Sequence, residues 1–132
     1  MDNEKEVRNR VEYLKNKLAE AHADGFVFGN SGGKDSALVG ILCRMASENT
    51  TGLIMPCESK RNYGMDNDDA RELADKFGIN IEYFDITPIK NAFISETASK
   101  YDLTKNASIN INPRLRMTTL YAYAQSHNLL VA

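Results

Sequence analysis

Four short strand-like runs, each separated from the next by a stretch with helical character, constrain this chain more than any other feature. They fall at 25–29 (GFVFG), 51–55 (TGLIM), 79–85 (INIEYFD) and 129–132 (LLVA). The first two read as buried strands, and Pro56 stops the second because it has no N–H for a central ladder. The third alternates apolar and polar residues. Before the first strand, Val7, Val11, Leu14, Leu18 and Ala21 recur at helical spacing, and Ala23-Asp24-Gly25 ends that helix. A second helix is predicted over about 35–47, with Ala37, Leu38, Ile41, Leu42 and Met45 as its apolar stripe. A third spans 66–77, capped near Asp66 and closed by Gly78. Thr87-Pro88 and Asn112-Pro113 each place a capping residue before a proline, so helices are predicted to open at both, with a polar loop over 99–108. Strands alternating with helices imply right-handed parallel crossovers, hence a doubly wound α/β parallel sheet of Rossmann-like architecture. Such sheets bind ligands beyond the carboxyl ends of their strands.

Composition bounds what such a sheet can serve. The 132 residues have room for one domain, 1–132, and 42% hydrophobic with 26% charged residues is ordinary globular usage. Sixteen Lys and Arg against 18 Asp and Glu leave a net charge of -2, without the basic excess that general nucleic-acid binding wants. The charged start MDNEKEVRNR lacks a signal-peptide core, and no apolar run is long enough to span a bilayer. Two cysteines make no disulfide scaffold. The expectation is a cytoplasmic protein with no membrane and no nucleic acid among its partners.

The chemistry concentrates where the first strand meets the second helix, at Gly29, Asn30, Ser31, Gly32, Gly33, Lys34, Asp35 and Ser36. Two glycines let the backbone turn tightly, and free N–H groups with the positive end of a helix dipole favour an anion, most readily phosphate. Ser31, Ser36 and Lys34 are candidate further donors. The loop is not a Walker A motif: Phe28 stands where that motif needs its first glycine, and Asp35 follows the lysine instead of Ser or Thr. A carboxylate beside a phosphate cradle asks for a cation between them, so Asp35 is the candidate Mg²⁺ ligand.

SGGKDS after an apolar strand resembles the pyrophosphate loop of the ATP pyrophosphatases, which split ATP between its α and β phosphates. Within that superfamily three stretches resemble ammonia-dependent NAD synthetases: Leu53-Ile54-Met55-Pro56; Ser59 followed by Asp69-Ala70, Leu73-Ala74 and Gly78-Ile79; and Asn110-Ile111-Asn112-Pro113-Arg114-Leu115-Arg116-Met117, continuing through Leu120-Tyr121, Ala124 and 128–131. The resemblance implies ATP-dependent amidation of deamido-NAD by ammonia through an adenylated intermediate. It places ATP on residues 29–36, Met55 beside adenine, Arg114 and Asn110 on deamido-NAD, Mg²⁺ on Asp35, and a homodimer surface on the helix after Arg114. Lys34 and Pro113 depart from the family's usual residues. Arg116 is left between an anion contact and a surface salt bridge, Cys43 reads as an inert thiol, and Cys57 sits at the active edge with its role open.

Two other readings stand beside this one: a tRNA-modifying ATP pyrophosphatase of thiolation or lysidine type, and a nucleotide-sensing domain without catalysis. His22 and His127 both lie near helix C-termini, where the dipole favours a partly charged imidazole, and neither is read as catalytic. Only one helix precedes the first strand and loop, so free ammonia is the expected donor unless another chain supplies it. The chain is expected to stop in or just after its fourth strand, short of the family's further ATP contacts and second Mg²⁺ carboxylate, and to be inactive alone.

Overall fold

The computed structural model describes residues 2–57 and 63–132, and the side chains of 63–67 lie outside that description. Helix α1 (Asn3–Ala21) precedes β1 (Gly25–Gly29), α2 (Lys34–Ala46), β2 (Thr50–Ile54), α3 (Tyr63–Phe77), β3 (Asn80–Tyr83), α4 (Thr87–Ala98), α5 (Lys105–His127) and β4 (Leu129–Val131). The strands form one sheet in the order β3-β2-β1-β4, and every pairing is parallel. Phe26 is in register with both Thr50 and Leu130, so β1 is central. The chain moves outward from β1 to β3, then crosses back over β1 to β4. The reversal makes the gap between β1 and β4 the switch point of the sheet.

Alternation along β1 sends its side chains to opposite faces. Val27 packs with Leu53, Met55, Ile86, Leu120 and Ala124 beneath α5. Phe28 packs with Ala74, Ile79 and the partly buried Val39, Leu73 and Phe77 beneath α2 and α3. Helices therefore cover both faces, which is why β1 and β2 read as continuous apolar runs. At the ends of the helices the backbone turns as the sequence signals. Asp2 caps α1 by accepting from the Lys5 N–H, Gly78 follows α3 at a φ of +69°, and Asn128 closes α5 at a φ of 54°.

Several predicted boundaries move. Helix α3 begins at Tyr63, three residues before the expected cap at Asp66, whose side chain lies outside the described residues, as does Ser59. The last four residues of the polar stretch 99–108 are helix. Thr104 accepts from the Ala107 N–H and starts α5 there, leaving Pro113 inside the helix instead of opening it. Proline costs the Ile109 carbonyl its ladder donor, and the neighbouring Asn110 carbonyl accepts from the Arg114 guanidinium at 3.1 Å. Before α4, the Asp85 side chain, not Thr87, satisfies the exposed backbone N–H, which belongs to Thr87. On α2 the predicted stripe is rotated: Gly40 and Cys43 are buried, while Leu38 and Met45 are more than half exposed. The Phe28 ring decides that rotation by occupying the space a side chain at position 40 would need. Among the described residues no helix is long and apolar enough to cross a membrane.

Gly40→Ala tests this packing. Alanine gains up to about 1 kcal/mol in helix propensity, but its Cβ would stand well inside contact distance of the Phe28 ring. Overpacking typically costs about 1–3 kcal/mol. Urea unfolding should show net destabilisation, relieved when Phe28→Leu is added in the same chain.

Candidate functional site

The loop after β1 is held from both sides. The Asn30 N–H donates to the Leu53 carbonyl at 2.8 Å, extending the β1–β2 ladder one residue past the strand. Its side chain, 2% exposed, turns into the protein and donates from Nδ2 to the Ala70 carbonyl of α3 at 3.2 Å. Asn30 Oδ1 is buried and has no hydrogen-bond partner among the described residues. Asn30 is thus an anchor of the loop, with its side chain directed away from solvent.

Beyond it the loop closes on itself. Gly32 takes a φ of +82°, which a side chain would resist. The Gly33 N–H donates to Ser31 Oγ at 3.3 Å, Ser31 and Ser36 hydroxyls meet at 3.1 Å, and Ser36 donates to the Gly33 carbonyl at 3.1 Å. Each hydroxyl has one proton. The chain of donors therefore runs from Gly33 to Ser31, from Ser31 to Ser36 and from Ser36 back to Gly33. Both serine protons, expected from the sequence to be free donors, are spent shaping the turn. The ready donors are instead the backbone N–H groups of the first turn of α2. Its N-cap, Gly33, has no side chain to satisfy them. Together with the helix dipole they make an anion cradle at the carboxyl end of the central strand. Lys34 and Asp35 stand exposed on its rim.

Met55 is buried, and its Cε would lie 3.5 Å from a Cβ at Gly29, so its side chain is core packing under the loop. Asn110 and Arg114 share an exposed flank of α5, and one Arg114 N–H is spent on the Asn110 carbonyl. Arg116 is half-buried and donates from Nε to the Met55 carbonyl at 2.9 Å, and among the described residues it forms no ion pair. Cys57 is buried and its thiol donates to Asn112 Oδ1 at 3.6 Å, a second tie between the end of β2 and α5. Sequence spacing carried no signal for either tie, since the partners are 61 and 55 residues apart.

A family model described as NAD synthase matches residues 6–132. The chain belongs to the NAD synthase family. It is 39% identical over 132 residues to the NH(3)-dependent NAD(+) synthetase of Carboxydothermus hydrogenoformans, covering 98% of this chain and 53% of that protein. It is 41% identical over 122 residues to the synthetase of the same name from Finegoldia magna, covering 92% and 48%. Among solved structures, NMN synthetase from Francisella tularensis superposes with a TM-score of 0.90 at 34% identity, covering 99% of this chain and 53% of that one. NH3-dependent NAD synthetase from Campylobacter jejuni, in complex with the nitrate ion, gives 0.89 at 32%, covering 99% and 56%. The chain spans about half the length of these family members.

Burial pushes the Cys43 thiol from its ordinary 9.0 up to about 12. A maleimide at pH 8 should therefore spare Cys43 in the native chain and label it after unfolding. Because the unfolded thiol ionises first, Cys43 stabilises the fold fully below pH 9.0, and that contribution should fade as pH rises toward about 12. Urea midpoints across that range check the sign.

Proposed function

We propose that this chain forms the ATP-binding and adenylating portion of an ammonia-dependent NAD synthetase. The observation that carries the reading is the set of backbone N–H groups in the uncapped first turn of α2, residues 34–36, beside the carboxyl end of β1 in a chain of the NAD synthase family. In the proposed reaction the nicotinate carboxylate of deamido-NAD attacks the α-phosphorus of ATP. The bond from that phosphorus to the bridging oxygen breaks, and pyrophosphate leaves. Ammonia then attacks the acyl carbon, AMP departs, and a proton passes to solvent. The residues position and neutralise charge without forming a covalent bond to substrate. The cradle takes the β and γ phosphates, Gly29 lets the nucleotide approach the strand end, Met55 supports the adenine side from below, and Arg114 and Asn110 meet deamido-NAD. Arg114 keeps four of its five N–H donors for that anion.

The residues present fit Mg²⁺ carried in with the nucleotide. Asp35 offers an exposed carboxylate on the rim, and Mg²⁺ is commonly held by one or two carboxylates together with phosphate oxygens. Among the described residues no cluster of three or more His, Cys, Asp and Glu forms a metal site by itself. When bound, the ion would neutralise phosphate charge as pyrophosphate leaves. Exposed Ile109, Met117 and Tyr121 along α5 support the homodimer surface. The name of the Francisella tularensis neighbour favours a second acceptor, the mononucleotide that yields NMN. The relatives favour either acceptor over a tRNA.

The test joins residues 1–132 to the second half of the Carboxydothermus hydrogenoformans relative. It supplies ATP, Mg²⁺ and ammonium with deamido-NAD, nicotinate mononucleotide or tRNA. NAD and AMP with the dinucleotide are expected. NMN formed in preference would move the acceptor to the mononucleotide, and AMP formed only with tRNA would overturn the proposal. In the same protein Asp35→Asn should lose at least about a hundredfold in Mg²⁺-dependent turnover, by analogy with removal of other charge-stabilising groups. Its circular dichroism spectrum and urea midpoint should stay unchanged.

A further inference from the structure

Arg116 is the cation that the site leaves unexplained. Helix α5 delivers the chain to the start of β4, so it runs antiparallel to the strands and its N-terminal half rises past their carboxyl ends. Leu120 of α5 packs over the end of β1: a Cβ at Gly29 would stand 3.7 Å from Leu120 Cδ1. Arg116 lies one helical turn before Leu120 on the same face. That turn carries it just beyond Gly29, to the level where the loop Asn30–Gly33 begins. The bond from Nε to the Met55 carbonyl fixes it there, since Met55 itself packs against Gly29.

Arg116 has no counter-charge among the described residues. Among the described residues all three ion pairs lie on α1: Arg10–Glu6, Lys15–Glu12 and Lys17–Glu20. Arg116 is half-buried and bonded to a neutral carbonyl, so part of its hydration is lost with no anion among the described residues to compensate. One of its five N–H donors is used, and both terminal nitrogens remain as a pre-oriented fork of the shape that phosphate oxygens accept.

We propose that Arg116 is a phosphate-binding residue: anchored through Nε on the Met55 carbonyl, it closes the cradle of residues 30–36 from the α5 side. There it contacts the phosphate chain of the bound nucleotide. The proposal rests on reading residues 30–36 as a phosphate loop. It assigns Arg116 a partner different from that of Arg114, which stands on the exposed flank of α5.

Calorimetric titration of the 132-residue chain with ATP plus Mg²⁺, and separately with inorganic pyrophosphate, tests it. The wild-type chain should bind both. Arg116→Gln should weaken both about tenfold or more, the usual scale for losing a charged hydrogen bond. Arg116→Lys should fall between, and Arg10→Gln, on the far helix α1, should match wild type. Glutamine can still donate toward the Met55 carbonyl, so a residue that only ties α5 to β2 would lose little in that variant. In the wild-type chain the Arg116 Nε–H resonance, assigned by its absence from Arg116→Lys, should shift on adding pyrophosphate, a readout that needs no folded Gln variant. Equal affinities of Arg116→Gln and wild type would overturn the proposal, as would an unmoved Nε–H signal while pyrophosphate binds. Failure of the wild-type chain to bind either phosphate ligand would instead overturn the phosphate-loop reading, and this proposal with it.

Discussion

Burial of β1 on both faces is the constraint on which the rest of the structure depends. Phe26, Val27 and Phe28 are each 2% exposed or less, flanked by β2 and β4 and covered by helices above and below. Burial on that scale stabilises the fold by roughly 1.5–3 kcal/mol for each large apolar side chain. It also removes the backbone of β1 from water, so its N–H and C=O groups must be satisfied by parallel neighbours. A strand so enclosed cannot shift register without moving its side chains to the wrong face. Its carboxyl end is therefore a rigid platform, and the loop that leaves it begins from a fixed point.

That rigidity explains how a short loop can offer an organised set of donors. Asn30 ties the loop to β2 through its backbone and to α3 through its side chain. The Ser31–Ser36 bridge then draws the start of α2 against the turn. Ordering a flexible loop on binding would cost conformational entropy. Here much of that cost is already met by folding, with the serine protons holding the backbone N–H groups in place. The arrangement favours an anion by preorganisation, which is the economical way to stabilise charge that appears during a reaction.

Legibility in the sequence followed the range of the interaction. The doubly wound class, the strand–loop–helix unit and Gly78 as a helix stop all rest on signals within a few residues, and the structure contains each. The early start of α5 was obscured because Asn112-Pro113 imitates a helix opening. Packing of Leu120 and Ala124 against the sheet carries the helix past Pro113, and Thr104 supplies the real cap. Leu38 and Met45 fit a helical stripe by spacing, yet the Phe28 ring sets which side of α2 meets the sheet. Local periodicity states that a face exists, and a distant aromatic ring chooses which one.

The sequence by itself determined that a glycine-rich turn follows an apolar strand and opens a helix, and that Asp35 stands at its rim. Those properties are set by backbone sterics and by side chains within six residues of one another. Only the tertiary structure decided that Met55 is core beneath the loop and that Arg116 is tied to the Met55 carbonyl at the end of β2. Each depends on β2 and α5 meeting across more than 50 residues of chain, as the Cys57–Asn112 and Arg116–Met55 bonds show. Such meetings follow from the packing of helices on a sheet, which no local pattern encodes.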